Sequence, residues 1–309
     1  MSYQAAWSLI TSAQKITLLT HHKPDADGVS ACTALDLVLR KLGKTTEAIY
    51  PSKLDTPLKR QPALVHIQKH DQMPDLLIAC DTANYERLYY PEAFRTLPLI
   101  NIDHHISNSI TGTVNIVNGQ AASTCEEVYH LLMTCCPKLM DAQIAECLLF
   151  GILYDTQVFR TQSTTPRTLA AAQACLAYGS NIAHLARELF ALKQVSILPL
   201  WGDVLQSVSI DETKKTVWAV VKQCDLQRRN LQTDALEGIV NLLAELNPLD
   251  VSILCYEAED GSTKLSFRSK ERDVNALAKT FGGGGHRCAA GASVKAPIDE
   301  VVKRVVAAL

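Results

Sequence analysis

No uninterrupted apolar run in this chain reaches the ~18 residues that span a bilayer. The first fifteen residues also lack the basic start, apolar centre and cleavage site of a secretory leader. The chain therefore reads as a cytoplasmic protein. Excess charge is missing too: 30 Lys and Arg against 32 Asp and Glu leave a net charge of −2, so no global positive field draws it onto a long polyanion. A nucleic-acid partner is expected to be small or gripped locally. C-x-x-C pairs are absent, and the ten cysteines are spread along 309 residues, several inside apolar segments (Cys32, Cys80, Cys147, Cys175). They read as reduced, buried thiols and not as a disulfide scaffold. Adjacent Cys135 and Cys136 have no His or Cys at ligand spacing beside them, which argues against a soft-metal site there.

What is present is a packed chain, 47% hydrophobic and 20% charged, of a length that predicts two domains. The first half alternates short apolar runs with helical patterns, as βαβ units do. Buried strands are expected at Ile16–Thr20, Leu76–Cys80 and Leu97–Ile102, giving a parallel sheet. Helices are expected at Met1–Lys15, Gly28–Leu42, Cys125–Cys135, Asp141–Tyr154, Thr168–Tyr178 and Ile182–Gln194. The pattern changes at Pro199. Beyond it come strands at Thr216–Val221, Val251–Glu257 and Leu265–Arg268, with helices at Thr233–Leu246, Asp273–Phe281 and Ile298–Ala308. The expected fold class is α/β: a parallel-sheet domain over residues 1–190, a helical linker or hinge over 191–200, and a smaller mixed α/β domain over 201–309.

Three of the apolar runs end in acids or histidines. Ile16–Thr20 leads into His21, His22, Asp25 and Asp27; Leu76–Cys80 into Asp81; Leu97–Ile102 into Asp103, His104 and His105. Ligand crevices of open α/β sheets lie at the carboxyl ends of the strands, so these side chains should converge. Asp155, after the apolar helix Ile144–Tyr154, is a fourth contributor. Any one Asp after a strand is ordinarily a cap or turn residue, and Asp25 and Asp27 alone fit a helix cap. The histidines His66, His70, His130 and His184 read as surface or packing residues. Recurrence at three strand ends is what chance does not supply. Gathered carboxylates repel one another unless cations lie between them. A mixed imidazole and carboxylate set suits Mn²⁺ better than an all-oxygen shell does.

A second candidate is the run Phe281–Gly291, F-G-G-G-G-H-R-C-A-A-G. It is neither a P-loop nor G-x-G-x-x-G. It reads either as a flexible turn or as a nest of N–H groups for an anion. Between Lys264 and Arg287 lie six basic residues (Lys264, Arg268, Lys270, Arg272, Lys279, Arg287) and two acids (Glu271, Asp273). Arg268 ends a strand and offers the fork that grips phosphate. An acidic half and a basic half suit a phosphorylated substrate, held at one phosphate and cut at another.

In order, H-H-K-P-D-A-D-G at His21–Gly28, Asp81, D-H-H at Asp103–His105, Asp155 and the glycine run resemble the DHH/DHHA1 phosphoesterases, from about Lys15 to Ala308. The chain is most similar to the stand-alone nano-RNases that also act as 3′-phosphoadenosine-5′-phosphate (pAp) phosphatases. The resemblance implies a DHH catalytic domain followed by a DHHA1 substrate domain, and two Mn²⁺ ions. His21, Asp25 and Asp81 would hold the first ion; Asp27, Asp81, His104 and Asp155 would hold the second, with Asp81 the bridge. Asp103 would orient a histidine, His105 would face the scissile phosphate, and hydroxide would be the nucleophile. Arg268, Gly283, Gly284, Gly285 and His286 would bind the nucleotide, and Phe159–Leu169 resembles the family segment that puts Arg160 near substrate. The implied substrates are short RNA oligonucleotides, linear dinucleotides and pAp, with no membrane partner and a homodimer left open.

Hydrolysis of cyclic dinucleotides is the alternative, although no sensory or membrane segment accompanies the core. A RecJ-like exonuclease would carry a further OB-type domain and a more basic surface. Family II pyrophosphatases share the first motifs but lack the glycine-histidine run. A non-catalytic RNA-binding protein would be expected to show a degenerate acidic cluster, whereas here the cluster is complete.

Overall fold

The computed structural model describes residues 2–50, 73–88, 90–191 and 195–309. His66 and His70 lie outside the described residues. The chain divides into two compact units, Met1–Leu192 and Lys193–Leu309.

The first unit runs α1 (Ser2–Ser12), β1 (Lys15–Leu19), α2 (Ala26–Lys41), β2 (Thr45–Ile49), β3 (Leu76–Cys80), β4 (Leu99–Asp103), β5 (Val114–Val117), α3 (Thr124–Cys135), α4 (Ala142–Asp155), α5 (Pro166–Ala177) and α6 (Ile182–Ala186). Among the described residues its five strands are all parallel, in the order β2-β1-β3-β4-β5. Strand order reverses between β1 and β3, which is the switch point where a crevice opens at the carboxyl ends. β3 and β4 are buried along their whole length, because helices cover both faces of such a sheet, and so they read as unbroken apolar runs.

α2 consists largely of small residues, with thirteen of its sixteen buried. Small side chains let it lie close to α4, and Val29, Leu35, Leu148 and Ile152 share one core with the strands. Each fully buried aliphatic side chain contributes about 1.5–3 kcal/mol. Asp25 caps α2, accepting from the Asp27 and Gly28 N–H groups, while Arg40 and Lys41 face the negative end of its dipole. Asp141 caps α4 in the same way.

Several expected elements are altered. The first helix stops at Ser12, because the β-branched run from Lys15 pairs in the sheet and the Lys44 ammonium takes up the Thr11 and Ala13 carbonyls at 2.7 and 2.6 Å. β2 and β5 were not expected. Both are edge strands, short and partly exposed, so their apolar signal is weak. The helix from Ile182 is α-helical only to Ala186 and continues as a π-helical turn, Arg187–Ala191. Residues 192–194, which complete the expected helix, lie outside the described residues.

The second unit runs α7 (Leu198–Gln206), β6 (Ser209–Asp211), β7 (Thr216–Val221), α8 (Gln223–Gln227), α9 (Ile239–Ala244), β8 (Val251–Glu257), β9 (Thr263–Ser269), α10 (Val274–Thr280), β10 (Gly284–His286), β11 (Ala289–Val294) and α11 (Ile298–Ala307). Pro199 does not make a turn. It sits in the first turn of α7, where its missing N–H costs nothing. Thr233–Leu246 is no single helix: a 3₁₀ turn at Thr233–Leu236 gives way at Gly238, φ 96°, before α9 begins. The mixed sheet has the order β10-β11-β9-β8-β7-β6, with β7 and β8 parallel and the other pairs antiparallel. Alternation along β7 serves two cores. Val217, Ala219 and Val221 pack with α7 and α9, and Trp218 and Val220 with the core of α10 and α11.

Candidate metal centre

Of the acids and histidines named at strand ends, all but His22, which is exposed and in no ligand group, come to the switch point of the first unit. His21 follows β1, Asp25 and Asp27 open α2, Asp81 follows β3, Asp103 closes β4 ahead of His104 and His105, and Asp155 is the last residue of α4. Three groups of potential ligand atoms result: His21, Asp25 and Asp81; Asp27, His104 and Asp155; and Asp81, Asp103 and His105. Within each, the atoms lie within 4.8 Å of one another.

Asp81 stands at the middle. Its Oδ2 is 3.6 Å from His21 Nε2, while its Oδ1 is 3.6 Å from both His104 Nε2 and His105 Nδ1. His21 Nε2 is 3.9 Å from Asp25 Oδ2, and His104 Nε2 is 3.2 Å from Asp155 Oδ2. The backbone supports this placement at a cost, since Asp81 has φ 58°, in the left-handed region. Gly28 makes room beside it: a Cβ there would press on Thr20 Oγ1 and the Asp81 carboxylate.

Burial, followed by the charge of Asp81, pushes the Asp27 carboxyl up to about 6. Burial also raises Asp155 well above the ordinary carboxylate range, with Asp27, Asp25 and Asp81 adding to it. Burial opposes ionisation of Asp81 as well, but the His21 side chain and the charges of His104 and His105 outweigh it and hold Asp81 below its usual range. His21 is moved up to about 10, its burial overcome by Asp25 and Asp81. At Asp27 and Asp155 burial and the neighbouring carboxylates outweigh the imidazoles, whereas at Asp81 the imidazoles win. Two ligands each about 2.1 Å from one ion sit roughly 3 to 3.5 Å apart; the His104–Asp155 separation of 3.2 Å falls in that range and His21–Asp81, at 3.6 Å, lies just beyond it. The donor set fits divalent cations.

Asp103 is fully buried and has a different task. Its Oδ1 lies 2.7 Å from His105 Nδ1 and accepts the His104 N–H at 2.9 Å, while Oδ2 accepts from Asn108 Nδ2 at 2.5 Å. His105 is thereby oriented, and its pKa is raised, burial being outweighed by Asp103 and Asp81.

Arg160 is exposed in the turn after α4, its N–H bonded to the Thr156 carbonyl at 2.7 Å. The remaining candidates lie in the second unit. Arg268, on β9, donates from Nε to Asn241 Oδ1 and from Nη1 to the Phe267 carbonyl, both at 2.9 Å. Gly284, Gly285 and His286 form the edge strand β10 against β11, and Gly283 enters it so closely that a Cβ would collide with the Gly291 carbonyl. The glycine run is thus not a loose turn, because Gly284–His286 pair in the sheet and glycine lets two backbones touch. Residues that the sequence reading missed are Asn108, Asn241, Arg87, whose Nη2 is 3.1 Å from His21 Nδ1, and above all Thr124 and Cys125. The N–H groups of Thr124 and Cys125 bind the two Asp27 oxygens. The S-T-C-E run at Ser123–Glu126 is a helix-start signature that marks this turn.

A doubly wound sheet with this donor set at its switch point, followed along the chain by a mixed α/β unit, marks a phosphoesterase. Residues 15–152 match the DHH family, N-terminal domain, and residues 214–309 match the DHHA1 domain. The chain belongs to the DHH phosphoesterase family. Two relatives are named bifunctional oligoribonuclease and PAP phosphatase NrnA. The one from Thermus thermophilus is 31% identical over 307 residues, covering 95% of this chain and 89% of the relative. The one from Bacillus subtilis is 29% identical over 294 residues, covering 90% and 89%. Among solved structures, an exopolyphosphatase-related protein from Bacteroides fragilis superposes with a TM-score of 0.91 at 21% identity, covering 99% of this chain and 95% of that one. Thermus thermophilus RecJ in complex with Mn²⁺ gives 0.62 at 15% identity, covering 99% and 54%. These two likenesses are of fold. Among the described residues, no helix is long and apolar enough to cross a membrane.

Proposed function

We propose that the chain hydrolyses short oligoribonucleotides, down to linear dinucleotides, and removes the 3′-phosphate of pAp, with two divalent cations, Mn²⁺ foremost. The observation that carries the metal reading is the central carboxylate, whose two oxygens face histidines from different strands, His21 and His104. His21, Asp25 and Asp81 would hold one ion; Asp27, Asp81, His104 and Asp155 the other. A bound pair would supply Lewis acidity and a more acidic water. The substrate assignment is supported by the names of the Thermus and Bacillus relatives.

The protein's own part is positional and protonic. Asp103 fixes the His105 ring through Nδ1, which leaves Nε2 as the atom that presents a proton to the leaving oxygen. In the second unit Arg268, bonded through Nε to Asn241, would take a terminal phosphate, with Gly283–Gly285 and His286 beside the nucleotide. Arg160 would contact substrate from the turn after α4.

Product analysis with Mn²⁺ decides among substrates. Release of mononucleotides from dinucleotides and of AMP from pAp is expected. Preferential opening of cyclic dinucleotides, or a kcat/KM that climbs with strand length to about twenty-five nucleotides as on a strand-tracking groove, overturns the proposal.

A further inference from the structure

The first turn of α3 handles two of the site's acids without being part of the donor set. The N–H groups of Thr124 and Cys125 reach the two oxygens of fully buried Asp27 at 2.6 and 3.0 Å, and the Thr124 hydroxyl donates to Asp81 Oδ1 at 3.3 Å. Asp27 belongs to α2 and Asp81 to the end of β3, so one helix end sets the spacing of two carboxylates from separate elements. Its positive end also favours the negative charge it meets.

What fixes that helix end is a second charged cluster, on the side of α3 that carries Glu126 and Glu127. These two side chains are 0% and 2% exposed, and a buried carboxylate is expensive unless it is paired and bonded. Both are. Arg167, from α5, places Nη1 2.5 Å from Glu126 Oε1 and Nη2 2.7 Å from Glu127 Oε1. Glu126 Oε2 accepts from the Ala122 N–H at 3.0 Å and the Thr168 hydroxyl at 2.8 Å. Glu127 accepts from Tyr3 of α1 at 2.6 Å and from Asn118 at 2.8 Å. Asn118 in turn donates its N–H to the Asp103 carbonyl at 3.0 Å. The cluster thus ties the start of α3 to α1, α5 and the end of β4.

Apolar side chains of like volume would hold a helix in a core as well as or better than such ions. What a guanidinium fork across two carboxylates adds is direction, since its donors are rigid and planar. We propose that Arg167 is a positioning residue: through Glu126 and Glu127 it locks the first turn of α3, and that turn holds Asp27 and Asp81 at the spacing the cations require. The inference rests on the metal reading of the site and adds a residue to it that touches neither substrate nor metal.

The test is isothermal titration of Mn²⁺ into the metal-free full chain, with circular dichroism to establish folding. Three variants are compared with wild type: Arg167→Lys, Arg167→Met, and the triple variant Arg167→Met, Glu126→Gln, Glu127→Gln, which removes the buried charges together. In folded Arg167→Met and in the triple variant Mn²⁺ affinity should weaken ~10- to 100-fold, the range for residues that orient metal ligands. Arg167→Lys should recover part of it, because an ammonium pairs with one carboxylate at a time. Activity should return as Mn²⁺ is raised, with KM for the substrate unchanged. Should Arg167→Met not fold, the triple variant and Arg167→Lys carry the decision. Folded variants with wild-type Mn²⁺ affinity overturn the positioning role alone, whereas a wild-type chain that binds no Mn²⁺ overturns the metal reading and this inference with it.

Discussion

The two units hold their candidate residues by opposite means. In the first, acids are buried against one another at strand ends and kept in place by helix ends, imidazoles and a further shell of hydrogen bonds. In the second, Arg268 is half-buried and bonded to Asn241 and the Phe267 carbonyl, and the glycine run lies exposed along a sheet edge. Crowding like charges requires a rigid frame, or the carboxylates would protonate or part. Gripping an anion needs only N–H groups and one guanidinium, which water already solvates until the ligand arrives. On the proposed reading, the chemistry is costly to build and the grip is cheap.

The sharpest way to separate the two is to remove the central acid. Asp81→Ala should lower phosphoesterase activity by orders of magnitude while circular dichroism shows a folded chain, because one of several mutually repelling carboxylates has gone. Retained turnover in folded Asp81→Ala would contradict the shared-ligand reading. Next is Arg268→Ala, which should weaken substrate binding by ~2–5 kcal/mol, the range for losing one side of a buried charge pair. KM should rise and Mn²⁺ affinity should hold. A parallel loss of metal affinity in calorimetry would erase the contrast between the units.

Most of the first site was legible because strand ends announce it. The apolar runs before His21, Asp81 and Asp103 were long enough to recognise, and the doubly wound order does the converging. Asp27's partners were not legible. Thr124 and Cys125 lie nearly a hundred residues away, and only the packing of α2 on α3 brings their N–H groups to it. Arg167 is hidden for the same reason, since nothing local ties it to Glu126 and Glu127. The glycine run misled by composition: consecutive glycines suggest looseness, yet the ladder Gly284↔Gly291 to His286↔Ala289 uses them for contact.

That ladder supplies a milder test. Gly283→Ala forces a methyl against the Gly291 carbonyl and should destabilise the second unit by ~1–3 kcal/mol, the usual cost of overpacking. Hydrogen exchange should show the loosening in β10 and β11, with the first unit's amides unchanged.

The smallest effect expected is one of pH. Asp250 is held below the ordinary carboxylate range: its partial burial raises it, but the Glu271 N–H, Arg272 and the Lys270 N–H more than compensate. A depressed acid contributes stability above its unfolded pKa and loses it as pH falls through the folded value, so the second unit should weaken at acid pH, below about 4. Asp250→Asn should lower Tm slightly at neutral pH and flatten that acid limb in thermal melts. An unchanged limb would mean that Asp250 does not tie β8 to the segment after β9.

Asp81 carries one further consequence. A non-glycine residue at φ 58° sits where its backbone is disfavoured, and glycine there would relax the strain by about 1–2 kcal/mol. That gain is set against loss of the pairing with His21, His104 and His105, which holds the carboxylate below its usual range, so Asp81→Gly should move Tm little while turnover falls by orders of magnitude. Screening for survival of the fold would leave this codon free, and screening for turnover would fix it.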